Sequence, residues 1–287
     1  MTETARHRPT LVLGGTGKTG RRLVQRLTRR DVPVRIGSRS AGLPFDWEQP
    51  STWGPVFQNA EAAYAYVPDL VVPNPTDAIA GLVETALAAG TRRLVLLSGR
   101  GEDKAQACEK ILMDSGAAWT VLRASFFNQN FSEGYLLGPV RAGQVLLPAG
   151  AVGEPFSDAA DIADVAAAVL TEDGHVGEVY ELTGPRALTF AEATATIAEA
   201  TGRDIAYTRV PPEDFAAGLA ADGVPQDVVD VLVDLFGAVL DGRNAEVADG
   251  VERVLGRPAR DFADYARATA ATGVWNPTDQ PNPGGPR

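Results

Sequence analysis

Cysteine is almost absent from this 287-residue chain. Cys108 stands alone, so no internal disulfide can form. Histidine is nearly as scarce. His7 and His175 lie far apart and make no zinc-ligand set with Cys108, so no metal site is expected. No apolar run reaches the roughly 20 residues that a membrane helix needs. The opening MTETARHRP is polar and lacks the apolar core of a secretion signal. Together these absences predict a cytoplasmic protein without membrane contact. Lysine is rare, three against 23 arginines, which leaves few amines for chemistry. The formal net charge of −11 argues against a nucleic-acid partner.

What is present is ordinary globular composition, 45% hydrophobic and 22% charged. The length suits one large domain or two modest ones. In the first half, short apolar runs alternate with amphipathic stretches. TLVL (10–13), VPVRIG (32–37), AAYAYV (62–67), RRLVLLS (92–98) and AAWTVLR (117–123) read as strands, and 18–30, 77–90 and 102–116 as helices. Such alternation predicts an α/β fold with a doubly wound parallel sheet. DIADVAAAVLTEDG (161–174) reads as a helix and EVYELTG (178–184) as a last strand. In 188–202, Thr189 and Glu192 have the spacing of a capping box. In 225–242, Val228, Leu232, Leu235 and Val239 form an apolar stripe. This pattern predicts a nucleotide-binding domain over 8–185, with 124–157 contributing to the cleft. A small, mostly helical C-terminal cap then covers 186–275, and 276–287 reads as a mobile tail.

The strongest local signal is LVLGGTGKTGRRL. Gly14, Gly17 and Gly20 form a G-x-x-G-x-x-G loop between a strand and a helix. A bare backbone there lets a pyrophosphate approach, and the helix that follows offers free N–H groups to it. The glycine spacing is too short for a Walker A loop, which disfavours ATP hydrolysis. The second strand ends in IGSRS. Ser38 and Arg39 stand where NAD-specific sites carry an acid, and no carboxylate follows until Asp46. Arginine there would pair with a 2′-phosphate, so NADP(H) is the expected cofactor. Lys18 could add a second contact to the phosphate. Lys18, Arg21, Arg22, Arg26, Arg29, Arg30, Arg35 and Arg39 face a single acid, Asp31, within residues 18–39. The cluster reads either as a solvated helix face or as a local positive field for a polyphosphate.

The glycine loop, SR after the second strand, VLLS, LRASFFNQNF and DAADIADVAAAVL together resemble the NmrA-like branch of the atypical short-chain dehydrogenase/reductases. PFDWEQPSTW, LTGPRALTF and LGRPARDFADYA are similar to its agroclavine-dehydrogenase-like subgroup. The resemblance covers about residues 9–275 and implies a Rossmann domain. It also implies that Gly14, Thr16, Gly17 and Lys18 cradle the pyrophosphate and that Arg39 holds the 2′-phosphate. Tyr66, Val67 and Pro68, at the end of the family's fourth strand, would line the nicotinamide ribose. Ser98, on its fifth, would sit beside the nicotinamide. Phe126, Phe127 and Asn130 would shape the floor where substrate meets cofactor, and Asp46 and Trp47 would touch adenine.

Typical short-chain reductases carry Tyr-x-x-x-Lys after the serine, the tyrosine acting as general acid. Here the next tyrosine is Tyr135, well past the helix that should hold it. That helix offers Lys104 and Lys110. At 100° per residue Lys104 shares a face with Cys108 and Ile111, so Lys104 is the candidate to reach inward. With Ser98 it forms the expected catalytic pair. Ketone reduction lacks an evident proton donor, which leaves hydride transfer to an iminium, quinone or conjugated carbonyl. The rival expectation is a non-catalytic redox sensor that binds the dinucleotide and a regulatory protein. A homodimer is the other partner class left open. A Ser98–His175 hydrolase pair lacks G-x-S-x-G. Asp158, Asp161 and Asp164 read as a helix cap and a solvated face, not a metal cluster.

Overall fold

Strand 10–13 is buried at every position because helices cover both of its faces, as a parallel sheet requires. The computed structural model describes residues 8–68 and 71–277. From residue 278 on, the expected tail lies outside the described residues. Trp275, at its threshold, is buried and donates its indole N–H to the Phe131 carbonyl at 2.8 Å.

In chain order the elements are β1 (Thr10–Leu13), α1 (Lys18–Arg29), β2 (Val34–Gly37), α2 (Trp53–Phe57), β3 (Ala62–Tyr66), α3 (Pro75–Ala88) and β4 (Arg93–Gly99). Then come α4 (Asp103–Met113), β5 (Ala118–Ala124), α5 (Asn130–Glu133), α6 (Leu137–Ala142), β6 (Gln144–Leu147), α7 (Ala159–Thr171) and β7 (Glu178–Leu182). The chain continues through α8 (Phe190–Thr201), β8 (Ala206–Arg209), α9 (Pro212–Ala221), α10 (Gln226–Asp234), α11 (Gly250–Leu255) and α12 (Phe262–Ala270).

Six strands form one parallel sheet in the order β2-β1-β3-β4-β5-β7. The direction of winding reverses between β1 and β3, where a crevice opens at the strands' carboxyl ends. Side chains alternate between two apolar layers. Leu11, Leu13, Leu94 and Leu96 pack on α2, α3 and α4. Val12, Val95, Leu97 and Leu122 pack on α1, α7 and Val251 of α11. Tyr66 and Ser98 lie on this chain's third and fourth strands, not on a fourth and fifth. The segment between β2 and β3 makes an isolated bridge, Ser38 to Pro44, and a 3-10 turn, Pro50–Thr52, before α2.

A third apolar cluster holds seven of the ten phenylalanines, among them Phe126, Phe131, Phe156, Phe190 and Phe236. It sits under α8, α9, α10 and α12. A two-stranded parallel sheet, β6 with β8, ties residues 144–147 to 206–209. Sequence patterning missed this pair because β8 is largely exposed and carries no apolar alternation. The capping box of α8 forms as its spacing predicts. Thr189 Oγ1 accepts from the Glu192 N–H at 3.1 Å, and the Glu192 carboxylate accepts from the Thr189 N–H at 2.8 Å. Residues 225–242 are not one α-helix. After α10 the chain turns through a π-helix, Leu235–Val239, closed by Leu240 N–H to Leu235 O at 3.0 Å. Val229, Leu232, Phe236 and Leu240 are the buried residues here, while Val228 and Leu235 pack partly buried on the same cluster; past residue 234 the extra residue per turn brings Phe236 and Leu240 inward.

Candidate functional site

The glycine loop connects β1 to α1 at the switch point of the sheet. Gly14 takes φ of +66°, and a Cβ there would come within 2.7 Å of the Tyr66 ring. Its N–H donates to Gly37 O at 2.8 Å, and its carbonyl accepts from Gly17 N–H at 2.8 Å. Gly20 serves packing: a Cβ there would overlap the Gly14 carbonyl, so only glycine lets α1 seat against the loop. No side chain caps the N-terminus of α1, and its first turn holds no acid. Its leading N–H groups therefore face a bare backbone cradle, the arrangement that accepts a pyrophosphate.

Beyond β2, Ser38 hydrogen-bonds through its carbonyl to the Ala41 and Phe45 N–H groups, forming a tight loop. Arg39 is exposed on that loop, and among the described residues nothing pairs with it. Asp46 is tied into its own loop. Its carboxylate accepts from the Glu48 N–H at 3.1 Å, and its carbonyl accepts from Trp53 Nε1 at 2.7 Å. Trp47 is buried edge-on against Tyr66, centroids 5.6 Å apart, so it packs beneath the site. Val67 and Pro68 are buried where β3 ends, with Val67 N–H bonded to Leu97 O at 3.0 Å.

Lys18 opens α1, yet its ammonium turns to α5 and donates to Asn130 Oδ1 at 2.7 Å. Burial lowers its pKa from the ordinary lysine value. The Glu133 carboxylate opposes that shift and Arg21 adds to it. This contact joins the glycine loop to Asn130, one of the expected floor residues. Arg29 is exposed, as a solvated face requires, but most of the other basic residues are paired within the chain. Arg21 and Arg22 both pair with Glu133 of α5, the latter at 2.6 Å. Arg26 meets Asp164 of α7 at 2.8 Å, Arg30 meets Glu172 at 3.1 Å, and Arg35 donates to the Val56 and Gln58 carbonyls. The flank of α1 that packs on α7 finds its carboxylates there. Asp158 caps α7, accepting from the Ala160 N–H at 2.7 Å. Asp161 and Asp164 are not solvated but paired with Arg257 and Arg260. Among the described residues no acidic, histidine or cysteine group could hold a metal ion, and no helix is long and apolar enough to cross a membrane.

Ser98 lies at the carboxyl end of β4, but its hydroxyl is already engaged. It donates to Glu109 Oε1 at 2.6 Å, and Arg123 clamps the same carboxylate, Nη2 donating to Oε2 at 2.6 Å and Nε shared between Oε2 at 2.9 Å and Oε1 at 3.0 Å. That bond to Glu109 holds the Arg123 guanidinium above its ordinary pKa, against burial. Glu109 escaped the sequence reading, although a signal existed. It is an acid on the buried face of α4, beside Ala105, Cys108 and Leu112. Lys104 does not join this group. The buried face of α4 centres on Ala105 and Glu109, about 90° from Lys104, which is exposed. Lys110 is exposed too and pairs with Asp114. His175 lies before β7, at the opposite end of the sheet from Ser98, with its Nδ1 2.9 Å from the Tyr180 hydroxyl.

Phe126 and Phe127 part company. Phe126 enters the cap cluster, 5.1 Å from Phe190 and 5.8 Å from Phe156 between ring centroids. Phe127 is half-buried against the sheet-side layer. Beneath this turn Glu154, another residue that sequence reading missed, accepts the Phe126 N–H at 3.0 Å. Burial pushes its carboxyl up to about 7, against the pull of that N–H, Arg100 and the Ser125 hydroxyl. Asn128, fully buried, has no hydrogen-bond partner for either side-chain polar atom.

No protein-family model matches the chain. NAD(P)H azoreductase of Xenophilus azovorans is 30% identical, over 91% of this chain and 98% of its own. Agroclavine dehydrogenase of Claviceps fusiformis is 29% identical, over 89% and 95%. Among solved structures, the NADPH-dependent quinone oxidoreductase of Escherichia coli, complexed with NADPH, superposes with a TM-score of 0.75. It is 22% identical and covers 90% of this chain and 99% of its own. The glycine cradle, the strand order and these relatives place the chain in the NmrA-like branch of the atypical short-chain dehydrogenase/reductases, with clavine dehydrogenases among its relatives.

Proposed function

We propose that this chain is an NADPH-dependent reductase that passes hydride to a small activated acceptor: an iminium, a quinone or a conjugated carbonyl. One observation carries the reading: an uncapped α1 faces a bare glycine loop, while an exposed, unpaired Arg39 stands at the end of β2. Gly14, Thr16 and Gly17 would present backbone to the pyrophosphate, and Arg39 and Ser38 would meet a 2′-phosphate. Tyr66, Val67 and Pro68 would flank the ribose. NADPH, when bound, supplies the hydride. The protein supplies orientation and an apolar wall from the cap over 186–275.

The arrangement on α4 supports the choice of acceptor. That helix carries no tyrosine, Lys104 and Lys110 are exposed, and the hydroxyl hydrogen of Ser98 is committed to Glu109. None of these groups is free to protonate an alkoxide, so an acceptor that is already electron-poor suits the site. Glu109 and Arg123 would act by holding Ser98 in place. Oxidation of NADPH, followed against a panel of iminium, quinone and enone compounds, tests the reading; no turnover with any of them would reject it. Arg39→Ala should weaken NADPH binding by roughly tenfold or more and leave NADH binding unchanged. Equal losses for the two cofactors would remove Arg39 from the site.

A further inference from the structure

Buried tyrosine hydroxyls in this fold find partners. Tyr64 donates to Thr19 at 3.0 Å, Tyr265 to Ser132 at 2.8 Å and Tyr207 to the Ala149 carbonyl at 2.5 Å, while Tyr180 lies 2.9 Å from His175. Tyr135 breaks the pattern: its hydroxyl is buried and has no hydrogen-bond partner. An orphaned buried hydroxyl costs stability unless something completes it.

Its location suggests what does. Tyr135 lies between α5 and α6, directly after Gly134. A Cβ on Gly134 would come within 3.0 Å of Lys18 Nζ and 3.2 Å of Asn130 Cα. The residue thus adjoins the contact that joins the glycine loop to α5. Its ring meets Phe236 of the π-helical turn edge-on, centroids 6.4 Å apart. One end of the side chain is held by the apolar cap while its polar tip is unsatisfied.

Resting on the reductase reading above, we propose that the Tyr135 hydroxyl orients the acceptor. It would donate a hydrogen bond to a lone pair on the acceptor's oxygen or nitrogen. This narrows the substrate class to compounds that carry such a lone pair, such as quinones, azo compounds and conjugated carbonyls. An iminium nitrogen has none to offer. Burial also raises the phenol's pKa above its ordinary value, so the group stays neutral and acts as a donor without ionising.

Tyr135→Phe tests this, because phenylalanine keeps the contact with Phe236 and removes only the orphan hydroxyl. Three results are expected together. Thermal stability holds or rises, since an unpaired buried group is gone. NADPH affinity is unchanged. Then kcat/KM falls by roughly 10- to 100-fold for quinones and azo compounds, and by less than about twofold for an iminium acceptor. A uniform loss across acceptors, or a matching fall in stability, would mark a structural role and overturn the proposal.

A second arm separates it from the reductase reading. 2-Methyl-1,4-naphthoquinone is titrated into the NADP+ complex, followed by tryptophan fluorescence, where no hydride is available. Tyr135→Phe should weaken this binding by roughly tenfold. Wild-type binding without any turnover would sink the reductase reading while leaving the hydroxyl's role standing. Equal binding by the two proteins, or none by wild type, would sink the role of Tyr135.

Discussion

The sheet half and the cap half treat polar groups differently. Around the sheet, buried charges are matched within the chain: Glu109 with Ser98 and Arg123, Asp161 with Arg257 and Arg260, Arg26 with Asp164. In the segment that leads from β5 into the cap, Asn128 and Tyr135 keep buried polar atoms without partners. The apolar cluster above them is mostly phenylalanine. Beneath the sheet Trp47 Nε1 is also unpartnered, so the contrast is one of degree: the unpartnered atoms gather along this segment, and a bound molecule is one way to complete them. The difference teaches where to look for the guest: at the seam between the two.

Substitutions can break or sharpen that contrast. The largest effect is expected at Gly20. In Gly20→Ala the new methyl overlaps the Gly14 carbonyl, and backbone cannot swing aside. The loss should be about 3 kcal/mol or more, read by denaturant unfolding, together with loss of NADPH binding. A variant of wild-type stability would mean that the loop is not packed against α1.

At the seam, Glu154 should make stability depend on pH. Its carboxyl titrates near 7 in the folded chain and near 4.5 when exposed. Between those values the folded form keeps a proton that the unfolded form has released. Stability therefore falls as pH rises through this window, by about 3 kcal/mol in total, and the deficit persists above it. Glu154→Gln keeps an acceptor for the Phe126 N–H but cannot ionise, so its melting temperature should lack this slope. Parallel curves for the two proteins between pH 4.5 and 8 would assign Glu154 an ordinary titration.

The smallest effect is expected in the cap. Gly218 lies within α9 with open space where a Cβ would go. Gly218→Ala should add about 0.5–1 kcal/mol through helix propensity alone, with NADPH binding unchanged. A loss of stability there would show the outer cap to be as tightly packed as the glycine loop.

What could be read from the sequence was local. The glycine loop, the alternation of β1 to β5 with their helices and the Thr189–Glu192 box each depend on residues a few positions apart. What escaped depends on partners far along the chain. Lys18 meets Asn130, 112 residues on, so its loop position suggested a phosphate contact and nothing more. Arg21, Arg22 and Arg26 of α1 look like a field in the sequence because their carboxylates lie on α5 and α7. Helical periodicity alone does not say which face of α4 the sheet covers; Glu109 marks that face, and Lys104 lies off it. The stripe over 225–242 departs from its register past residue 234, where a π turn leaves no mark in a 3.6-residue pattern. Phe126, Phe127 and Asn130 stand together in the sequence, but the fold sends the two phenylalanines into different layers.

The pairing of β6 with β8 bears on modular exchange. β6 precedes α7 in the chain, whereas β8 follows α8, so the upper half is stitched through the lower one. A chimera made by a single crossover after residue 185 would keep β6, Phe126, Phe131 and Phe156 from one parent while taking β8, Phe190 and Phe236 from the other. Recombination within this family is therefore best done with two cuts, carrying the segment around residues 124–157 along with the C-terminal part it was built to meet.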